Sequence, residues 1–185
     1  MRTLFARLLM VGALFPFVLP TPAIAQEPSM STIDSLDVPR YMGTWYEIAK
    51  YPNRFQADCA SNTQATYSLN PDGTVTVLNS CKLPSGEVKQ AQGVARQLGE
   101  ANSSKLEVRF APKWLSWLPL VWGKYWVIDL DPGYSMVAVS EPTRTYLWVL
   151  ARKPVVDPVQ YSELLQRLKT RGFDVSKLER SPQGR

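Results

Sequence analysis

The 185-residue chain holds no histidine, which leaves chemistry to carboxylates, lysines and tyrosines, with two cysteines, Cys59 and Cys81, and a glutamate set among apolar neighbours, Glu47, as the residues that stand out. Without imidazole there is no Ser-His-Asp or Cys-His nucleophile system, no imidazole general base, and no His-ligated zinc, copper or haem. Two thiols build neither a four-cysteine zinc site nor an iron–sulfur cluster. No metal and no cofactor is therefore expected. Glu47 lies in Gly43-Thr44-Trp45-Tyr46-Glu47-Ile48. Facing an apolar interior, its carboxylate must be paired, hydrogen-bonded or protonated. It meets a ligand headgroup or is a satisfied internal group, and as a lone catalytic acid it has no visible partner base.

What the cysteines do depends on the compartment. Arg2 and Arg7 precede or flank an apolar run over residues 8–19, and Ala23-Ile24-Ala25 has the small-x-small form of a cleavage site. Residues 1–25 read as a secretory signal peptide, too short and too interrupted to be a membrane span. No cysteine stands at the cleavage point to accept a lipid, so the expectation is an exported protein, periplasmic or extracellular, without a lipid anchor. In that oxidising setting Cys59 and Cys81 are expected to pair. A simple hairpin around Asn70-Pro71-Asp72-Gly73 puts Cys81 opposite Thr63, so the chain near residues 58–62 must bulge or fold back.

The 160 residues that remain suit one domain with a full core. Losing Arg2 and Arg7 lowers the formal net charge from +5 to +3. The remaining charges of both signs are interspersed, which offers no basic face for nucleic acid.

These residues must be positioned by short alternating segments. Strands are expected over residues 44–51, 59–69, 74–81, 88–98, 105–110, 124–130, 134–140 and 146–152, separated by turn signals. The alternation is clearest in Leu106, Val108 and Phe110 against Lys105, Glu107 and Arg109. Eight antiparallel strands with short connections favour a sandwich or an up-and-down barrel, closure being one way to remove exposed edges. A helix follows, with Asp157 as N-cap, Pro158 at its first position and Gly172 at its C-terminal cap. Its stripe of Tyr161, Leu164, Leu165 and Leu168 requires a sheet to lie on. Phe173-Asp174-Val175 is a candidate ninth strand. Residues 26–36 are expected to be a flexible lead-in, 37–180 the domain, and 181–185 a disordered tail.

Three segments in order carry a family resemblance: Gly43-Thr44-Trp45-Tyr46-Glu47, the turn Asp131-Pro132-Gly133-Tyr134, and Leu147-Trp148-Val149-Leu150-Ala151-Arg152. Together they resemble the lipocalin signature, and their fuller stretches are similar to the bacterial lipocalin and apolipoprotein D branch. The resemblance covers about residues 39–178. It implies an all-β fold with one flanking C-terminal helix: an eight-stranded up-and-down antiparallel barrel, or calyx. It assigns structural roles to Trp45, plugging the closed end, to Arg152, packed across its ring, and to Tyr134 of the turn. Such a contact is worth about 1–2 kcal/mol. Outer-membrane anchoring, found in some bacterial members, is not supported without the lipid-acceptor cysteine.

Parity from Trp45 places Glu47, Ala49 and Tyr51 inward, with Ala65 and Tyr67, Val77, Leu106, Val108 and Phe110, Trp126 and Ile128, and Trp148. Alternation alone leaves open whether these side chains fill the barrel or line a cavity, and the resemblance favours a cavity. The expected ligand-contacting set is Tyr51, Phe55, Ala65, Tyr67, Val77, Leu106, Val108, Phe110, Trp114, Trp126, Ile128 and Trp148. A mostly apolar lining suits a long hydrocarbon such as a fatty acid or lysophospholipid. Arg54, Lys113 and Arg144 are candidates for an anionic headgroup. Residues 111–123, with three tryptophans, three leucines and two prolines, are expected at the open mouth. There they either touch a membrane surface peripherally or fold down as a cap.

The function expected from these readings is non-enzymatic: lipid binding and transport by a monomer or weak dimer, with a place in membrane maintenance or stress. The alternative is a lipid isomerase or hydrolase on the same fold. A membrane-spanning barrel is excluded by the outward set Gln92, Arg96, Lys105, Glu107 and Arg109.

Overall fold

The computed structural model describes residues 30–184. The signal peptide expected over 1–25 lies outside them, as does the first part of the expected lead-in. A four-residue helix, α1 (Val38–Tyr41), leads into β1 (Gly43–Lys50). Then come β2 (Ser61–Leu69), β3 (Val75–Lys82), β4 (Val88–Gln97) and β5 (Lys105–Arg109). The second half holds β6 (Gly123–Leu130), β7 (Met136–Ser140) and β8 (Leu147–Ala151), then α2 (Pro158–Thr170) and a two-residue β9 (Glu179–Arg180).

From β1 to β8 each strand pairs antiparallel with the next, β8 pairs with β1 to close the barrel, and β9 adds to the end of β1. The expected fold is the observed one. Closure follows from the sequence's short hairpin connections and leaves almost no unpaired edge. At the β2–β3 turn, Asn70 and Asp72 bond Thr74 and Thr76, and Gly73 takes φ +79°, which favours glycine.

The apolar residues divide between two cores. The first fills the closed end with Trp45, Tyr67, Val75, Val77, Leu106, Val127 and Leu150. The second lies outside the barrel wall, where Ile48, Ile128, Met136, Ala138 and Val149 meet Leu164 and Leu168 of α2. The Asp157 carboxylate caps α2 by accepting from the N–H groups of Val159 and Gln160 at 2.9 and 3.0 Å. Arg167 forks onto the carboxylate of Asp129 in β6 at 2.9 and 3.0 Å, tying the helix to the wall.

The chain ends differ from expectation. Residues 30–36 are not a flexible lead-in: Ile33 N–H donates to Val127 O, Leu36 N–H to Asn102 O, and Leu36 is buried. Phe173-Asp174-Val175 forms no strand. Phe173 packs under α2, a 3-10 turn spans Val175–Lys177, and the ninth strand is Glu179–Arg180 on β1. The tail from Ser181 to Gly184 is held by Ser181 N–H to Ile48 O and by Gln183 Nε2 to the carbonyls of Glu47 and Thr63. It occupies the gap where β1 and β2 diverge beyond Tyr46 and Gln64.

The disulfide forms as expected, with Cα atoms 5.7 Å apart. The required bulge is in β2, where the register with β3 shifts between Ser61 and Gln64 and Asn62 adopts φ +54°. That detour brings Ala60 N–H onto Lys82 O, beside the bridge.

Candidate functional site

The closed end is built around Trp45, which is 0% exposed. Its indole Nε1 donates to Tyr41 O at 2.8 Å, and the Arg152 guanidinium lies 4.0 Å from its ring centroid. Arg152 also donates to the carbonyls of Arg40, Thr44 and Tyr134 at 2.9, 3.1 and 3.4 Å. Tyr134 takes φ +56°, and its hydroxyl accepts from Asp37 N–H at 3.0 Å while Arg40 stacks on its ring. Asp131 holds the turn by accepting from the N–H groups of Gly133, Ser135 and Met136. All three expected structural residues therefore meet in one assembly that stitches α1, β1, β8 and the β6–β7 turn together.

Above Trp45 the register identifies the inner wall. Trp45 lies opposite Ala65, Tyr67 opposite Val77, Val77 opposite Gly93, and Leu106 opposite Tyr125. Phe110 shares the inward face of Leu106 and Val108. Its ring passes so close to Gly93 that a Cβ there would sit 2.8 Å from Phe110 Cδ1, so only glycine leaves room for the ring. Phe110 is nevertheless 45% exposed, and Val108, Tyr125 and Trp148 are only partly buried. Ala65, Tyr67, Val77 and Leu106 close the lower wall and are buried.

Three expected ligand contacts face the other way. Tyr51 lies under the segment following α2, its hydroxyl donating to Asp174 O at 2.9 Å. The cause is a bulge at Ile48: Glu47 pairs with Leu150 but Ala49 with Val149, so parity reverses and Ala49 and Tyr51 turn outward. Trp126 and Ile128 belong to the outer core beneath α2, Trp126 under the Lys105 ammonium at 4.8 Å. In β6 the inward residues are Tyr125 and Val127. Both faces of this strand are covered, one by the lumen and one by the helix, so its sequence shows no alternation to reveal the parity.

At the mouth, Phe55 contacts the Tyr146 ring at 5.4 Å, and Tyr146 stacks on Trp148 at 5.7 Å. Trp148 Nε1 donates to Gln56 Oε1 at 3.1 Å. Tyr146, outside the expected set, lies one residue before β8 on the face that the parity of Trp148 assigns to it. Glu47 points inward as expected, and its carboxylate accepts from the Gln56 amide and from Ser181 Oγ at 2.5 Å. Burial pushes its pKa up from 4.5, against the lowering effect of those bonds and of Lys50. Its carboxylate is thus engaged by structural partners.

Residues 111–123 connect β5 to β6 at the open end as two 3-10 turns. The loop is tacked to the outer wall by Trp122, whose ring lies 4.2 Å from the Arg96 guanidinium and 5.3 Å from that of Arg109. Beside it the buried Glu107 carboxylate bridges Arg96 and Lys124 at 2.7 and 2.8 Å. Trp114, Trp117 and Leu120 project away, 73%, 74% and 98% exposed. The expected contact residue Trp114 therefore stands beside the mouth, outside the lumen.

At the lumen floor three phenols converge. Tyr41 and Tyr67 are buried, and their hydroxyls lie 2.8 and 3.0 Å from that of Tyr125. Burial raises the pKa of all three, Tyr67 to about 12, so all remain protonated at neutral pH. The sequence hinted only at Tyr67, since the parity error in β6 hid Tyr125 and Tyr41 lies before the first strand.

A lipocalin-like domain model matches residues 36–183. The chain belongs to the lipocalin family. It is 39% identical over 162 residues to temperature-induced lipocalin-1 of Arabidopsis thaliana, covering 86% of each chain. It is 37% identical to the outer membrane lipoprotein Blc of Escherichia coli K12 over 80% of each, and 32% identical to mouse apolipoprotein D over 84% of this chain and 82% of that one. Among solved structures, insecticyanin of the tobacco hornworm Manduca sexta superposes with a TM-score of 0.65 at 19% identity. It covers 83% of this lipocalin and 84% of its own chain, and at that identity it supports the fold alone. These relatives place this lipocalin in the bacterial and apolipoprotein D-like branch.

Proposed function

We propose that this lipocalin binds a hydrophobic ligand with one long hydrocarbon chain, a fatty acid or lysophospholipid, and carries it through an aqueous compartment outside the cytoplasm. The observation that supports this most is the partial exposure of Val108, Phe110, Tyr125 and Trp148 on the inner face of a closed ring of strands. Side chains filling a solid barrel would cover one another. Eight strands leave just enough interior for one small ligand. Burying the chain contributes about 0.8 kcal/mol per methylene, set against the freedom lost on association.

The aromatic ladder of Phe55, Tyr146 and Trp148 receives the chain at the entrance, where Arg54, set over the Phe55 ring, attracts an anionic headgroup. Trp114, Trp117 and Leu120 meet a lipid surface during loading, since exposed indoles are well matched to the polar–apolar boundary. The Cys59–Cys81 bridge accords with an oxidising compartment, and the carrier acts as a monomer or weak dimer in membrane maintenance or stress. Glu47, held by Gln56 and Ser181, is a wall residue in this reading and turns over no lipid.

The test is lipid extraction from the purified mature protein with native mass spectrometry, then titration with saturated fatty acids read by tryptophan quenching. Affinity should rise about tenfold for each two methylenes added, until the lumen is full. Recovery of no lipid together with no quenching at any chain length overturns the carrier reading. In vesicle co-sedimentation, W114S/W117S/L120S should lose membrane recovery while keeping fatty-acid affinity, and unchanged recovery removes the loop's role.

A further inference from the structure

The tyrosine cluster at the lumen floor has a proton to spare. Three neutral phenols bring three O–H donors, yet they make only two hydrogen bonds, Tyr41 to Tyr125 and Tyr67 to Tyr125. Tyr41 and Tyr67 are buried, and their hydroxyls have no other bonding partner among the described residues. A buried donor left unbonded is costly, so both direct their protons to the Tyr125 oxygen, which has two lone pairs to receive them. That leaves Tyr125 with its own proton undonated. Tyr125 is also the member of the three that is only partly buried, on the inner face of β6 opposite Leu106. The surplus donor thus belongs to the one residue of the three whose side chain is partly open on the inner face.

We propose that the Tyr125 hydroxyl is a binding group at the floor of the lumen that donates to an uncharged acceptor oxygen, a carbonyl, ether or hydroxyl, on the ligand end that enters first. Tyr41 and Tyr67 are positioning residues: by donating to Tyr125 they orient its proton toward the lumen and polarise it, as chains of hydrogen bonds do. The stack of Tyr41 on Tyr67 at 5.6 Å, with Tyr41 resting on Trp45 at 4.9 Å, holds both in place. The acceptor is uncharged because one donor cannot replace the hydration of a carboxylate. Arg152, the cation that acts on Tyr41 and Tyr67, cannot help, since it is committed to the Trp45 ring and to three backbone carbonyls. The ligands selected are therefore those whose buried end bears a neutral oxygen, in preference to plain hydrocarbon ends.

This inference rests on the lumen binding hydrocarbon chains, and the experiment separates the two. Tridecane and 2-tridecanone are titrated into the mature wild-type protein, Tyr125→Phe and Tyr67→Phe, with affinity read by tryptophan quenching. The carbonyl stretch of bound, carbonyl-13C-labelled ketone is recorded by infrared difference spectroscopy. One neutral hydrogen bond corresponds to about a fivefold change in affinity. The ketone-to-alkane preference of the wild type should accordingly fall about fivefold in Tyr125→Phe, with tridecane affinity retained. The carbonyl band should lie at lower wavenumber in the wild type than in hexane, and return to the hexane position in Tyr125→Phe. Tyr67→Phe, in which Tyr125 keeps its proton, should preserve the lowered band.

An unshifted band in the wild type overturns the proposal even if a variant fails to fold. So does a preference unchanged by Tyr125→Phe, or a band restored by Tyr67→Phe but not by Tyr125→Phe. If neither compound binds the wild type, the carrier reading itself fails and this inference with it. If both bind with no preference for the ketone over that of Tyr125→Phe, only the role of Tyr125 is lost.

Discussion

Replacing Arg152 with alanine should loosen the closed end of the barrel while leaving the lumen usable. The guanidinium sits 4.0 Å from the Trp45 centroid, a cation–π contact worth about 1–2 kcal/mol when partly desolvated. Its bonds to Arg40 O at 2.9 Å and Thr44 O at 3.1 Å are well formed, and that to Tyr134 O at 3.4 Å is weak. A charged donor to a carbonyl contributes about 1.5–3 kcal/mol when buried. Arg152 is only half-buried and the freed carbonyls regain water, so about 1 kcal/mol in all is a fair value for the two good bonds. The sum is about 2–3 kcal/mol, or roughly 4–12 °C in Tm for a domain of this size. Differential scanning calorimetry of wild type, R152A, W45F and the double variant measures both the loss and its origin. The cycle should show a coupling of about 1 kcal/mol between Trp45 and Arg152, because phenylalanine retains part of the ring's attraction. A loss under about 1 kcal/mol in R152A refutes the ledger. Additivity within about 0.3–0.5 kcal/mol refutes the ring contact, leaving Arg152 as a backbone clamp alone.

Reducing the Cys59–Cys81 bridge, or replacing both residues by serine, should cost about 3 kcal/mol, the loop-closure value for a separation of 22 residues; calorimetry with and without reductant checks this. Ile128→Ala should cost about 2–4 kcal/mol by opening a cavity under α2, with tridecane affinity unchanged, whereas Phe110→Ala should weaken tridecane binding at little cost in Tm. The opposite pattern would place Ile128 in the lumen. Glu47→Gln should alter the pH dependence of stability in a defined direction. The raised pKa means the folded protein holds a proton that the unfolded chain has released, so wild-type stability falls as pH rises from 4.5 to the raised value. Thermal melts across that interval should show the Tm of E47Q gaining on the wild type and levelling off above it. A constant or shrinking difference would mean that burial does not govern this carboxyl.

Local sequence determined the strands, their order and the helix caps, because each follows from interactions between residues close along the chain. Asn70-Pro71-Asp72-Gly73 makes its turn wherever it lies, Asp157 caps the helix that starts beside it, and alternation in β5 shows which side of Leu106, Val108 and Phe110 meets the interior. The three segments around Trp45, Tyr134 and Arg152 marked the closed end for the same reason: each is a contiguous motif, even though they meet only in space. Parity in β1 and β6 was a matter for the tertiary structure. The bulge at Ile48 answers to the pairing of β1 with β8, and Trp126 and Ile128 face outward because α2, folded back from far along the chain, covers that wall. A strand covered on both faces carries no alternation. The tyrosine floor was hidden for a related reason: Tyr41, Tyr67 and Tyr125 come from three distant elements, and the surplus proton exists only once their hydroxyls are counted together.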